Sequence, residues 1–251
     1  MTPRGKWSGM MTIVRLNRAF YAAAVIILIA VACLSFIVSG WWWKLALAGS
    51  GAGAAYFLFG SLFVAHWIYD RSDLYRWGWI ERALHGASRR DFIFCHSGFD
   101  DSSRALRDKL GNIGWMVLDH FNERQMTEPS IRRARKLFPP TPETLPAPHN
   151  AWPANTAGAD VILGLLAVHE FRTSNERFEW FLEAKRCLRK GGRIVIAEHM
   201  RDLANFLAFG PGFLHFHSPR SWRASWQRAG FQCIDEFRIT PWIRVFILEI
   251  S

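Results

Sequence analysis

The fold is decided by one stretch, Arg186-Cys-Leu-Arg-Lys-Gly-Gly-Arg-Ile-Val-Ile-Ala-Glu198. Gly191 and Gly192 supply the unhindered backbone that ends a helix, and the basic residues before them suit its negative end. Residues 193–197 are too few and too β-branched for a second helix. They predict a short, buried strand of a parallel sheet, so the stretch indicates a helix-to-strand corner of an α/β protein.

The residues on either side of this corner extend the α/β pattern. Residues 159–166 form a second apolar run, and hydrophobic side chains at helical spacing predict a helix from about residue 176 to residue 188. Further on, Ser218-Pro219 has the residue types that begin a helix. Two strand-like runs, residues 231–239 and 242–249, then close the chain.

The corner resembles the Arg-x-Leu-Lys-Pro-Gly-Gly-Arg passage before strand 5 of class I S-adenosylmethionine-dependent methyltransferases, with Lys190 where that family often has proline. Residues 159–166 resemble its strand 4, and the closing elements are similar to its last third, where the final strand inserts antiparallel between its neighbours. The resemblance covers residues 91–251. It implies an α/β, Rossmann-like, seven-stranded methyltransferase sheet with helices on both faces.

The same resemblance implies S-adenosylmethionine as the cofactor. In the family, a glycine-rich turn after strand 1 passes close to the cofactor, because a Cβ would block that approach. Here the turn follows residues 91–96 and keeps Gly98, whereas His96 and Asp100 replace glycines. Asp119 ends strand 2 and matches the acid that binds the ribose hydroxyls, about twenty residues after the loop. The implied cofactor residues are His96, Gly98, Asp100 and Asp119.

Two apolar runs precede this domain, residues 19–39 and residues 45–69. About 20 apolar residues cross the hydrocarbon layer as a helix, so each run is long enough. Between them, residues 40–44 read Gly-Trp-Trp-Trp-Lys, which predicts a tight loop whose tryptophans lie in the interfacial aromatic belt. The predicted organisation is an N-terminal tail (1–18), a two-helix transmembrane hairpin (19–69), an amphipathic interfacial linker helix (70–90) and the methyltransferase-like domain (91–251).

The cations predict the orientation of this hairpin. Basic residues lie before the first run and after the second, and the connecting loop offers only Lys44. The positive-inside rule then predicts an integral membrane protein with two spans, whose termini and catalytic domain are cytoplasmic. The four cysteines have no metal-type spacing and predict no disulfide.

The formal net charge of +10 favours a lipid bilayer as the partner. The densest basic cluster, at residues 132–136, is accompanied by no helix-turn-helix, zinc finger or RNA-binding signature. Nucleic acid is therefore not an expected partner.

Titratable residues follow the predicted strands 4 and 5. His169 and Glu170 follow the first, and His199 and Arg201 follow the second. In open α/β sheets the ligand crevice lies beyond the carboxyl ends of the strands, so these four are the predicted catalytic residues. His169 or His199 is the expected general base, since an imidazole titrates near neutrality, and Arg201 can hold a carboxylate or phosphate.

These patterns predict a membrane-anchored, S-adenosylmethionine-dependent methyltransferase acting on a membrane-associated small molecule such as a lipid, quinone or isoprenoid. The substrate class follows from the anchor alone. Two alternatives stay open. The altered loop is compatible with an inactive, methyltransferase-like interaction module at the membrane. The His and Glu residues, with His215 and His217, also supply ligands for a metal-dependent enzyme, although no metal motif has this spacing and no metal site is predicted.

Overall fold

The computed structural model describes residues 5–111 and 114–251. Its strands are β1 (Phe92–His96), β2 (Trp115–Asp119), β3 (Thr144–Pro146), β4 (Ala159–Leu165), β5 (Leu188–His199), β6 (Phe231–Thr240) and β7 (Ile243–Ile250). They form one seven-stranded sheet in the order β3-β2-β1-β4-β5-β7-β6. Strands β1 to β5 pair in parallel, and β7 runs antiparallel between β5 and β6. The predicted Rossmann-like sheet and its antiparallel final insertion are confirmed.

Helices of the described residues contribute to the hydrophobic cores on both faces of this sheet. The described helices are α1 (Ser8–Leu16), α2 (Arg18–Ile37), α3 (Trp41–His66), α4 (Ile80–Ala83), α5 (Ser103–Leu110), α6 (Pro129–Leu137), α7 (Ser174–Cys187), α8 (Leu203–Phe209) and α9 (Pro219–Arg228). Helix α3 continues as one π-helical turn, Trp67–Arg71. A 3₁₀ segment, Gly210–His215, follows α8. The predicted start of α9 is confirmed, since the Ser218 side chain accepts a hydrogen bond from the backbone of Ser221.

The helix-to-strand corner exists, but its bounds differ from the prediction. Strand β5 begins directly after α7, before the two glycines. Gly191 has a φ of +77°, in the left-handed region. A Cβ on Gly192 would lie 2.7 Å from the carbonyl oxygen of Asp160. The two glycines therefore shape the start of β5 and let it approach β4, and they do not end the helix as expected.

Alternating strand residues fill two hydrophobic cores, one on each face of the sheet. Large aromatic side chains from α7 and α9, including Trp180 and Trp226, cover one face together with Ile162 and Ile194. The other face packs Leu163 and its neighbours against the chain that follows α3. Helices contribute to both cores, as predicted. Successive side chains along each strand point to opposite faces, which accounts for one core on each face.

The linker between α3 and the sheet is not the amphipathic interfacial helix predicted over residues 70–90. Apart from the π-helical turn and the four residues of α4, this segment consists of turns. The Asp73 carboxylate accepts hydrogen bonds from the backbone N–H groups of Gly78 and Trp79, which closes a loop. Leu74 and Ile80 are buried in the second core. Side chains predicted to lie on a lipid surface instead cover the sheet.

Helices α2 and α3 are long and apolar enough to cross a membrane. The span Arg18–Ile37 has 20 residues and a mean hydropathy of 2.7, and Trp41–Arg71 has 31 residues and a mean hydropathy of 1.5. Helix α2 has no buried residue, whereas α3 buries Leu58, Ser61, Val64 and Ala65 near its end. The loop between them is shorter than predicted, Val38 to Gly40, and the three tryptophans lie in the first turn of α3.

Within the described part of the predicted N-terminal tail, residues 8–16 form a docked helix, α1. The Asp70 carboxylate accepts hydrogen bonds from the backbone N–H groups of Gly9 and Met10, at 2.6 and 3.0 Å, so it caps the start of α1. A Cβ on Gly9 would lie 2.5 Å from the Cβ of Tyr69, so only glycine allows this crossing. Helix α1 thereby fixes the π-helical turn that carries Tyr69.

Candidate active site

A cavity of about 600 Å³ lies where the N-terminal helices meet the carboxyl ends of the strands. Helices α2 and α3 contribute Phe20, Tyr21 and Ser61 to its wall, and the ends of β4 and β5 contribute Leu165, His169 and His199. The prediction that the ligand crevice lies beyond these strand ends agrees with this position. Of the four predicted catalytic residues, His169, Glu170 and His199 line the cavity, and Arg201 does not.

His169 is held between two carboxylates. Its Nδ1 lies 2.6 Å from Oε2 of Glu198, and its Nε2 lies 3.5 Å from Oε1 of Glu170. The second oxygen of Glu198 accepts hydrogen bonds from the backbone N–H groups of Ala167, Val168 and His169. This fully buried carboxylate therefore ties the turn after β4 to the end of β5.

The two carboxylates determine the protonation of His169. Burial lowers the pKa of this imidazole, but Glu198 and Glu170 outweigh burial and raise the pKa to about 10. Burial raises the pKa of Glu170, but its hydrogen bonds to His169 and His215 outweigh burial and hold that pKa below its ordinary value. His169 is therefore an imidazolium at neutral pH, which donates a proton or a hydrogen bond. This charge state does not suit the predicted role of general base.

Glu170 joins His169 to His215. Its Oε1 lies 3.3 Å from Nε2 of His215, and donor atoms of His169, Glu170 and His215 all lie within 4.8 Å of one another. These are ligand types that transition metals accept. However, the Arg172 guanidinium contacts the His215 ring and pairs with Glu128. The chain thus supplies a cation of its own at this cluster.

His217, the other histidine of the metal alternative, lies apart from this cluster. Its Nε2 lies 3.0 Å from Nη1 of Arg177 and 3.1 Å from the carbonyl oxygen of His169. Burial, then the charges of Arg177 and His169, lower the pKa of His217 to about 3. It belongs to the packing beneath the cavity and offers no ligand to the three-residue group.

Tyr69 and His199 form the other polar wall of the cavity. The Tyr69 hydroxyl lies 3.1 Å from Nε2 of His199, and Nδ1 of His199 lies 3.0 Å from the side-chain oxygen of Asn205. Because the Asn205 amide nitrogen donates to Asp202, its oxygen is free to accept from His199. Nδ1 of His199 therefore carries the hydrogen, and Nε2 accepts the Tyr69 hydroxyl.

The basicity of His199 is low. Burial, then the charge of His169, lower its pKa to about 3. A base this weak removes few protons from a substrate at neutral pH. The chain Asp202–Asn205–His199–Tyr69 instead orients the tyrosine hydroxyl at the cavity wall.

Arg201 has a different place from the one predicted. It is exposed, and its guanidinium donates to the carbonyl oxygens of Phe216 and Leu214, each at 2.7 Å. These bonds hold the 3₁₀ segment against the end of β5. The geometry accounts for Arg201 as a support of the cavity wall, and its guanidinium is not presented to the cavity for an anionic group.

The end of β2 lies beside the cavity and is closed by the chain itself. Oδ1 of Asp119 accepts hydrogen bonds from the backbone N–H groups of Gly98 and Phe121, at 2.9 and 3.0 Å, and its other oxygen pairs with Arg135. Gly98 has a φ of +87°, and a Cβ there would lie 2.8 Å from the Phe121 ring. The Arg135 guanidinium lies over that ring, 4.5 Å from its centroid. Gly98 is thus required sterically, because Phe121 fills the space above it.

His96 and Asp100, the other predicted cofactor residues, do not line the cavity. His96 is buried, both its ring nitrogens lack a hydrogen-bond partner, and burial lowers its pKa although Asp119 lies 3.6 Å away. Asp100 accepts hydrogen bonds from the backbone N–H groups of Ser102 and Ser103 and from the Ser103 hydroxyl. It therefore orders the start of α5.

Comparison with solved structures identifies the fold. An S-adenosylmethionine-dependent methyltransferase from Clostridium acetobutylicum is similar, with a TM-score of 0.50 and 8% identity over 68% of this chain and 89% of that one. The PH0226 protein from Pyrococcus horikoshii is also similar, with a TM-score of 0.50 and 11% identity over 69% of this chain and 88% of that one. No protein-family profile matches the sequence, and no curated protein matches it.

The chain has the fold of the class I S-adenosylmethionine-dependent methyltransferases. Within this methyltransferase fold, Asp119 and Gly98 have the chemistry that a bound nucleoside requires: a buried carboxylate at the end of β2 and a glycine with positive φ after β1. The space for a ribose is taken by Phe121 and Arg135. These residues would fit the cofactor with both the Phe121 ring and the partly exposed Arg135 side chain moved away from Gly98 and Asp119.

Three residues that position the site were missed or left without a role in the sequence. Tyr69 was counted in the apolar span, although a tyrosine followed by Asp70 at the end of such a run is a signal of a polar function there. Glu198 was noted without a partner. Arg135 belongs to the basic cluster at residues 132–136, and sequence spacing gives no sign of its pairing with Asp119.

Proposed function

We propose that this protein is a membrane-anchored, S-adenosylmethionine-dependent methyltransferase that acts on an amphiphilic small molecule. One observation carries the proposal. A single cavity is walled on one side by the two apolar helices and on the other by the strand ends where the methyltransferase fold has its site. An amphiphile fits such a cavity, because one end is apolar and the other carries charged and hydroxyl groups.

Exposure of α2 and α3 supports the anchor. Outward-facing side chains of α2 such as Ile26 and Phe36 are largely exposed in the folded chain, and Phe59 and Phe63 are exposed on α3. Burying them in hydrocarbon removes a large apolar surface from water. Core helices of water-soluble proteins bury such surfaces within the protein. Membrane insertion of the two helices therefore explains what internal packing does not.

The cavity residues have separate roles in this proposal. When bound, S-adenosylmethionine supplies an electrophilic methyl group, and Asp119, Gly98 and the turn after β1 would hold it. The Tyr69 hydroxyl, which donates to His199, accepts a hydrogen bond from the polar end of the acceptor, and Nε2 of the His169 imidazolium donates one to it. Phe20, Leu165 and Phe216 contact its apolar part and exclude water. Rate acceleration then comes from orientation and desolvation rather than from a strong general base.

A second candidate function has its own support. Phe121 over Gly98 and Arg135 on Asp119 together close the ribose side in this conformation. A methyltransferase-like module that has lost its cofactor would have such a closed site, with the cavity kept to bind an amphiphile. Cofactor binding distinguishes the two functions, because only the enzyme must exchange Arg135 for a ribose.

Two experiments test the proposal in cells. A cytoplasmic reporter fused after Ser251 should be active, and a cysteine at Ser39, in a Cys33→Ala background, should react with an impermeant reagent from outside. Lipid extracts of cells with and without the protein are then compared by mass spectrometry. The proposal expects one species heavier by a single methylene in cells with the protein. Identical extracts, together with no labelling of residue 39 from outside, would overturn the proposal.

A further inference from the structure

Helix α8 has the reverse of the polarity expected for a surface helix of a water-soluble protein, with a polar side chain buried and apolar side chains exposed. Its polar Asn205 is fully buried, whereas Leu203 and Leu207, one turn apart on the other face, are 70% and 46% exposed. The 3₁₀ segment that follows adds Leu214, which is 57% exposed. Water-facing helices have the opposite arrangement, with polar side chains outward. We name residues 203–215 the α8 segment.

The buried side of the α8 segment is explained by the site. Asn205 bonds to His199, to Asp202 and to the carbonyl oxygen of Trp242. This accounts for a polar residue on the inner face. It gives no reason for leucines on the outer face, where substitutions to polar residues would leave these bonds intact. A separate cause is needed for the apolar outer face.

The position of the α8 segment along α3 supplies that cause. The rings of Phe206 and Phe57 lie 6.4 Å apart, and a Cβ on Gly210 would lie 3.3 Å from the Phe57 ring. The α8 segment therefore packs beside Phe57, in the middle of the second apolar run rather than at its end.

The depth of Phe57 follows from helix geometry. The uncharged run is residues 45–69, and about 20 residues span the hydrocarbon layer. Whichever 20-residue window of this run is embedded, Phe57 lies at least seven residues inside either limit. At about 1.5 Å per residue, that is roughly 10 Å below the surface of the hydrocarbon. A segment packed beside Phe57 lies at the same depth.

We propose that the α8 segment is embedded in the half of the bilayer nearer the sheet, with Leu203, Leu207 and Leu214 against lipid acyl chains. This inference rests on the membrane anchoring proposed above. The embedded outer face continues the apolar surface of α3. On the inner side, Phe209 of the α8 segment and Phe216, the residue that follows the segment, line the cavity. The cavity mouth between α2, α3 and the α8 segment then opens to acyl chains, so an amphiphile enters sideways from the bilayer without crossing water.

Spin labels measure this depth directly. The full-length protein, with the two exposed cysteines replaced (Cys33→Ala and Cys233→Ala), is reconstituted in phosphatidylcholine–phosphatidylglycerol nanodiscs. Single labels are placed by Leu207→Cys and Leu214→Cys. The reference for lipid is Ile27→Cys in α2, and the matched control for water is Leu182→Cys on α7, which is 42% exposed on the sheet domain. Relaxation by oxygen is compared with relaxation by a water-soluble nickel chelate.

The inference expects oxygen-to-nickel ratios at residues 207 and 214 close to the ratio at residue 27 and several-fold above that at residue 182. Ratios equal to that at residue 182, with residue 27 in lipid, would overturn this inference and leave the anchor intact. Protection from both reagents would also overturn it, since that result indicates a second protein chain on this face. Water exposure at residue 27 itself would instead remove the anchoring on which the proposed function depends.

Discussion

The Tyr69 hydroxyl lies 3.1 Å from Nε2 of His199, so the end of the second apolar helix is bonded to the end of the fifth strand. This bond joins the end of α3 to the sheet at the cavity wall. The π-helical turn that carries Tyr69 is a distortion often found at functional sites. It is held by the Asp70 cap on α1. The orientation of the Tyr69 hydroxyl therefore depends both on α3 and on the end of β5.

Replacing Tyr69 by Phe should lower turnover and leave cofactor binding unchanged. The substitution removes the hydroxyl but keeps the ring, so the loss is one hydrogen bond to the acceptor and one to His199, about 1 kcal/mol each. Turnover should fall roughly ten- to thirtyfold. Tyr56→Phe, an exposed position on the same helix, is the control. Equal activity of the two variants would show that the Tyr69 hydroxyl has no role beyond packing.

Competition between Arg135 and the cofactor ribose for the Asp119 carboxylate should determine the affinity for the cofactor. Arg135→Gln frees the carboxylate and should tighten S-adenosylmethionine binding by up to about fivefold, the worth of a partly exposed ion pair of roughly 1 kcal/mol. Asp119→Asn should weaken binding by about tenfold or more, since it removes charge-assisted hydrogen bonds of about 1.5–3 kcal/mol. Arg132→Gln, exposed on the same helix, should change nothing. Titration calorimetry of the reconstituted protein provides the measurement.

The second candidate function, a methyltransferase-like module that has lost its cofactor, predicts the opposite result in the same titrations. If neither the wild-type protein nor the Arg135→Gln variant binds S-adenosylmethionine while both melt cooperatively, the inactive module becomes the correct description. Weaker binding in the Arg135→Gln variant would show that Arg135 contacts the cofactor rather than competing with it.

Acid should destabilise the domain through its buried histidines. Nδ1 of His120 donates to the carbonyl oxygen of Ala147, and its Nε2 accepts from the Trp180 indole. Burial lowers the pKa of His120 from 6.5 to about 4. The unfolded chain therefore binds the proton more tightly, and the free energy of unfolding decreases as the pH falls from about 6.5 towards about 4, by up to roughly 3 kcal/mol.

Melting temperatures at several pH values between 7.5 and 4.5 measure this effect. The pKa of His199 and that of His217 are lowered in the same direction, so they add to it. His120→Gln should make the dependence shallower, and His85→Gln, an exposed position, should not. The same slope in all three proteins would refute the assignment to His120.

Chelation should leave the activity intact. Arg172 already provides a positive charge beside His215 and Glu128, where a metal bound to His169, Glu170 and His215 would lie. Dialysis against a strong chelator should therefore change neither turnover nor cofactor affinity. Turnover that disappears on dialysis and returns with Zn²⁺ alone would favour the metal-dependent alternative, with Arg172 displaced.

The sequence predicted what depends on local pattern. Apolar runs and turn residues gave the strands, and the strand ends brought His169 and His199 near one cavity. Contacts between distant segments were not predictable in this way. Nothing in the spacing of Arg135 and Asp119 signals their ion pair, and the burial of Leu74 and Ile80 depends on how α3 meets the sheet. Arg201 was misassigned because a residue after a strand can turn its side chain along the wall instead of into the crevice.

We propose that this protein transfers a methyl group from S-adenosylmethionine to a molecule held in the cavity between the apolar helices and the sheet, and one assay tests this transfer directly. Purified full-length protein in nanodiscs is incubated with S-adenosylmethionine labelled in its methyl group and with a membrane lipid extract, and label in the organic phase is counted. We expect a labelled, organic-soluble product that decreases with Tyr69→Phe and, at cofactor concentrations below saturation, also with Asp119→Asn. No organic-soluble label from protein that binds the cofactor would contradict it.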